Sequence, residues 1–245
     1  MENIPFERAL VVSSDLRGYG QGTDKRHETM QKTFVDLHEA AAVQAGLDRG
    51  SWGIQQGGDG ELAVLPASEP DPLVVDQYVR ALHAELVRRN APLAPEERFR
   101  LRVALAFGTA YPAANGYAGQ AVVEATRLAD WGPLKRLFGD SPEAHIVLVL
   151  SQRVFEDVVL QEHTSYAKDD FHPVMVQEKE LSAPAWIWVP EITAAKLNRL
   201  PKKAPTEPGK GSTEKEIHLS QRAEVINNLN GPVRAREMNF GITHK

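Results

Sequence analysis

The sequence predicts an α/β chain of the α+β type, one mixed sheet covered by helices around a split βαβ core. Three observations carry that expectation. Apolar residues recur at strand and helix spacing in the order β-α-β-β-α-β-α-β-α-β-β. Two of the strands flank a turn with three glycines, as a tight hairpin requires. The 245 residues, 42% hydrophobic and 25% charged, suffice for one full core with chain left over.

The elements follow in order. "RALVVSSDL" is a β-rich run leading into Gly18, Gly20 and Gly22, and the helix after it places Met30, Phe34, Leu37 and Ala41 on one face behind a Thr23 or Asp24 cap. "SWGIQQGGDGELAVLP" reads as two strands joined by Gly57-Gly58-Asp59-Gly60. "DPLVVDQYVRALHAELVRRN" is an amphipathic helix with Pro72 in its first turn, and "FRLRVALAFGTAY" is a buried strand. "GQAVVEATRLADWGPLKRLF" is helical with a break at Gly132-Pro133. "HIVLVLS" is a strand, "QRVFEDVVL" a short helix, and "FHPVMVQ" and "APAWIWVP" close the sheet. Two helical crossovers around a hairpin make the core ferredoxin-like.

After Pro190 the composition changes. The domain is expected over residues 1–195. Residues 196–215, rich in proline, glycine, lysine and glutamate, read as a disordered linker, and residues 216–245 as a tail too short to own a core.

The charge of −5, with basic residues scattered, argues against a nucleic-acid partner or an anionic membrane. The absence of cysteine removes disulfides, thiolate zinc sites and cysteine nucleophiles. With no export-like amino terminus and no run of about 18 apolar residues, the expected location is cytoplasmic, with no membrane span. His27 and His38, eleven apart in one helix, read as solvated histidines, and Trp186 and Trp188 as packing on one face of the last strand.

Two acids stand out: Asp15 at the end of the first strand and Asp59 in the glycine turn. If their strands are neighbours, the carboxylates converge on one sheet edge, where oxygen ligands can hold hard divalent cations and glycines let phosphates approach the backbone. On spacing alone the plainer alternative stands, a helix-capping Asp15 and a turn aspartate at 59.

"VVSSDLRGYG", "IQQGGDGELAVLP" and "RLRVALAFGTAYPAANGYAGQAVVEATRLAD", jointly and in this order, resemble the signature blocks of class III nucleotidyl (adenylate/guanylate) cyclase catalytic domains. The resemblance covers about Arg8 to Pro190. It implies a signalling lyase in which the ribose 3′-hydroxyl of a nucleoside triphosphate attacks its own α-phosphate, giving a 3′,5′-cyclic mononucleotide and pyrophosphate, with two Mg²⁺ or Mn²⁺ per site. It makes Asp15 and Asp59 the metal ligands and Arg127 the catalytic cation at the α-phosphate. It places Gly18, Gly58, Gln55, Val123 and Lys179 at substrate-binding positions. Because the family's arginine reaches across from a second subunit, it also implies a homodimer.

The chain departs from the family at three of these places. Val123 stands where an asparagine orients the ribose, Gln55 where adenylate-specific members read the base with lysine, and Gly116 where they carry the partner aspartate. Gln55 offers a donor and an acceptor and suits a pyrimidine edge, as in the antiphage pyrimidine cyclases, relatives of this fold. Two readings follow: an active cyclase, with a role in bacterial antiviral defence, or a degenerate module that binds nucleotide or dimerises and works as an adaptor. The tail "INNLNGPVRAREMNFGITHK" resembles bacterial amyloid signalling motifs, which implies a protein partner for residues 216–245.

Overall fold

The computed structural model describes residues 8–20 and 22–201. The tail, most of the expected linker and Gln21 lie outside the described residues. Nine strands and seven short to long helices are described: β1 (Arg8–Leu16), α1 (Asp24–Ala45), β2 (Gly53–Gln56), β3 (Gly60–Val64), α2 (Asp71–Leu73), α3 (Val79–Asn90), β4 (Leu101–Thr109), β5 (Tyr111–Ala113), β6 (Gly116–Ala118), α4 (Gln120–Asp130), α5 (Gly132–Gly139), β7 (Ile146–Ser151), α6 (Gln152–Val154), β8 (His172–Glu178), β9 (Leu181–Trp188) and α7 (Ala194–Leu197). The expected order is present, with one addition. The hairpin β5–β6, two strands of three residues each, stands apart from the main sheet, and the sequence reading passes over it.

Seven strands form one mixed sheet in the order β2-β3-β1-β4-β7-β9-β8, antiparallel except for the parallel pair β4–β7. α1 carries the chain from β1 to β2 past β3, and α3 carries it from β3 to β4 past β1, which is the split βαβ arrangement expected. α1 begins at Thr23, whose hydroxyl accepts from the Arg26 backbone N–H, and ends at Gly46 in the left-handed conformation. Met30, Phe34, Leu37 and Ala41 are all buried, so its apolar stripe is the one its spacing predicts. A π-helical turn over Val74–Tyr78 joins α2 to α3 and leaves the Tyr78 ring fully buried.

Two layers of side chains result. α1 and α3 pack on one face of the sheet against Leu10, Val12, Leu16, Ala63 and Leu105. α4 lies on the other face over Ala9, Val11 and Ala106, while Trp131, Leu134 and Phe138 pack beside β7 and β9. Trp186 stacks on Phe155 at a centroid distance of 3.7 Å, and Trp188 is buried beside Tyr166, so both tryptophans serve packing. The packed chain continues through residues 196–201, the first residues of the expected linker. Leu197 and Leu200 are buried, and the Met175 backbone N–H donates to the Pro201 carbonyl. Among the described residues no helix is long and apolar enough to cross a membrane.

Candidate functional site

β1 and β3 bring the two acids together. Asp15 sits opposite Gly60 on β3 and opposite Arg102 on β4. A side chain at Gly60 would put its Cβ 2.4 Å from the Ser14 carbonyl, so glycine is what allows β3 to approach β1 this closely. The Leu16 backbone N–H donates to the Asp59 carbonyl at 2.7 Å, fixing the acidic turn to the end of β1. Gln31 on α1 clamps the turn from outside, donating to the Gly58 carbonyl at 3.1 Å and to the Tyr19 hydroxyl at 2.8 Å. The glycine-rich loop after β1 is thereby folded against the turn that carries Asp59.

A cleft of about 390 Å³ opens on the α4 face of the sheet, with Ser13, Asp15, Gln55, Asp59, Tyr117 and Asp130 among its walls. Burial pushes the Asp15 carboxyl above the usual aspartate range. The Arg102 guanidinium, whose Nε donates to Asp15 Oδ1 at 2.7 Å, works against that rise, while the charges of Asp59 and Asp130 add to it. A desolvated carboxylate beside two like charges gains from a cation, and Arg102 at Asp15 with Lys135 at Asp130 leaves the three acids one positive charge short. Sequence reasoning missed Arg102. The signal available to it was a lone arginine breaking the apolar run of β4, on the face opposite Leu101 and Val103.

The other expected site residues lie elsewhere. Gly58 borders a neighbouring recess with Gln31 and Lys32, and Gly18 holds the loop after β1 with φ of +83°. Arg127 is not among the cleft walls; its Nε and Nη2 donate to Glu180 at 3.0 and 2.8 Å. Val123, one turn earlier on α4, is 41% exposed. Lys179, with φ of +51°, shares with Glu180 the turn between β8 and β9. The chain thus gathers Asp15, Asp59 and Gln55 into one cleft and leaves Arg127, Val123 and Lys179 outside it.

Beneath β1, on the opposite face, lies a largely buried cluster of polar side chains. His38 shares hydrogen bonds with the Ser14 hydroxyl at 3.1 Å and the Tyr78 hydroxyl at 2.5 Å. Glu61 receives Arg49 Nη2 at 2.6 Å. The expectation of a solvated His38 is corrected: the residue has no exposure, and burial lowers its pKa to about 4, so it is neutral near pH 7. His27 instead lies partly exposed against the Tyr19 ring, 4.8 Å between centroids.

No protein-family model and no curated protein sequence matches the chain. Among solved structures it is similar to the adenylate/guanylate cyclase/hydrolase from Silicibacter pomeroyi, with a TM-score of 0.55 and 19% identity over 77% of this chain and 100% of that one. The domain has a cyclase fold. The same arrangement recurs in the guanylyl cyclase Cya2, with a TM-score of 0.50 and 15% identity over 76% of this chain and 92% of that one. It recurs again in a bacterial light-regulated adenylyl cyclase, with a TM-score of 0.50 and 11% identity over 75% of this chain and 51% of that one. At such identities the likeness establishes the cyclase fold, and chemistry must be argued from the cleft itself.

Proposed function

We propose that the domain is a nucleotidyl cyclase that binds a nucleoside triphosphate in the Asp15–Asp59 cleft and forms a 3′,5′-cyclic mononucleotide and pyrophosphate. The observation that carries this is the convergence of two aspartates, one raised by burial, on an open cleft of a cyclase fold. In the reaction the 3′-oxygen bonds to the α-phosphorus, the bond from that phosphorus to the bridging oxygen breaks, and the hydroxyl proton is lost.

The donor set suits Mg²⁺ or Mn²⁺. Asp15 and Asp59 offer hard oxygen ligands, and no group of three or more His, Cys, Asp or Glu able to hold a metal occurs among the described residues. Two carboxylates leave coordination places for water and phosphate oxygens, as magnesium sites in phosphoryl chemistry require. Cations held there would acidify the attacking hydroxyl and neutralise charge on the triphosphate. Arg102, paired with Asp15 in the free chain, stands beside the same place with a permanent charge for phosphate oxygens.

Arg127 fits action on the cleft of a second copy, since it lies outside its own, and a homodimer with shared sites is part of this reading. A second reading is favoured by the Arg127–Glu180 pair and by Val123, whose isopropyl group cannot hydrogen-bond a ribose: a domain that binds the triphosphate without turning it over. The test is incubation of the full chain with Mn²⁺ and each of the four common ribonucleoside triphosphates, with products resolved by chromatography. A cyclic mononucleotide lost in Asp59→Ala supports the cyclase; binding without any product supports the second reading.

A further inference from the structure

A second recess, of about 330 Å³, lies between α5 and α7 and shares no wall residue with the acidic cleft. Its described walls carry three cations, Arg136, Lys196 and Arg199, and one acid, Asp140. Lys196 is taken up by Glu143, whose Oε1 accepts from Nζ at 2.5 Å. Arg136 and Arg199 have no acidic partner among the described residues, although the chain as a whole carries a net charge of −5. The end of α5 would ordinarily oppose an anion here, because the last carbonyls of a helix carry partial negative charge. Arg100 removes that obstacle. Its buried guanidinium donates to the carbonyls of Phe138, Ser141 and Ala144. Burial, with the charge of Arg17 added, lowers its pKa to about 10, which leaves it a full cation near pH 7. The remaining walls include Pro133, Leu137, Leu200 and Pro201, all apolar.

We infer that this recess binds a small organic phosphate, a monoester whose phosphate sits between Arg136 and Arg199 and whose apolar part lies against the prolines and leucines. Two guanidinium forks on two helices present more donors than a carboxylate, with two oxygens and one charge, can use. A phosphate monoester brings three acceptor oxygens and close to two charges near pH 7, enough for both arginines. Inorganic phosphate has the charge but nothing to place against the apolar walls. The volume falls within the range of small-molecule sites, about 300–1,000 Å³. Such a site is independent of the proposed reaction, since the cleft contributes none of its walls.

The test is calorimetric titration of the full chain with phenyl phosphate, benzoate and inorganic phosphate, in metal-free buffer of low ionic strength. Phenyl phosphate is expected to bind with a Kd below about 1 mM, and the other two at least about tenfold more weakly. Arg136→Gln and Arg199→Gln should each weaken phenyl phosphate by about tenfold or more. Both residues are exposed, so neither substitution touches the core, and melting temperatures without ligand should match that of the unaltered chain. Arg102→Gln, in the cleft region, should leave the affinity as it is. Absence of binding, equal affinity for benzoate or inorganic phosphate, or an affinity that either arginine substitution at the recess leaves unchanged overturns the assignment. So does loss of binding in Arg102→Gln, which would put the ligand in the cleft and leave the triphosphate reading in place.

Discussion

Ser14 and Asp15 are neighbours in sequence, yet β1 turns them to opposite faces, and the two faces are built on opposite plans. On the α1 side Ser14, His38 and Tyr78 share buried hydrogen bonds, with the Arg49–Glu61 ion pair close by. On the α4 side Asp15, Asp59 and Asp130 share a cleft, where Arg102 pairs with Asp15 and Lys135 with Asp130. Hydrogen bonds from Ser14 through His38 to Tyr78 tie β1 to α1 and the π-helical turn. Three acids met by two cations leave a surplus of negative charge that weakens a fold and suits the cations proposed for the cleft. On the proposed function the contrast separates residues that position the site from residues that act in it.

The strongest attempt to break this contrast removes an acid. Asp15→Ala or Asp59→Ala should cut metal-dependent turnover by at least about 10³-fold. In Asp59→Ala the melting temperature should stay the same or rise, as scanning calorimetry would show, whereas Asp15→Ala leaves Arg102 unpaired and should lower it; a marked fall in Asp59→Ala would make the open face structural after all. On the α1 side, His38→Ala leaves two hydroxyls unpaired beside a cavity and should cost about 2–4 kcal/mol in urea unfolding.

The same histidine predicts a pH dependence. Its pKa is about 4 in the fold against 6.5 in the unfolded chain, so the unfolded state takes up the proton first as pH falls. The stability tied to neutral His38 is whole above about pH 6.5 and is lost progressively towards pH 4, about 3 kcal/mol in all. Denaturation midpoints followed across that window should show a shallower slope in His38→Gln, by up to one proton.

Gly60→Ala acts on both faces at once, forcing β3 away from the Ser14 carbonyl, and should cost about 1–3 kcal/mol while also lowering turnover. The smallest effect is expected from Glu180→Gln. Freeing Arg127 from a half-exposed ion pair should raise turnover by about twofold to fivefold, measured at saturating triphosphate.

What the sequence revealed and what it hid follow the same division between local and non-local causes. The strands and long helices were legible because burial imposes a period: Met30, Phe34, Leu37 and Ala41 announce a helix by themselves. The acids were legible because a charge ending an apolar strand and another in a glycine turn are local anomalies. Arg102 was not, since its meaning lies in a register that places it opposite Asp15, 87 residues away. His38 was misread because its partners come from β1 and from the π-helical turn, which its own helix does not disclose. The β5–β6 hairpin was too short to show a period, although Asn115-Gly116 was a turn signal.

The placement of β1 also bears on how the protein is made. Both of its partners in the sheet are synthesised after it, and β4 emerges some 87 residues after Asp15. Until then a growing chain carries β1 with an open hydrogen-bonding edge, the kind of segment that pairs with the wrong neighbour. Synthesis halted before Leu101 should therefore yield aggregates rather than a smaller folded unit, and the acidic cleft is assembled late in the folding of the domain.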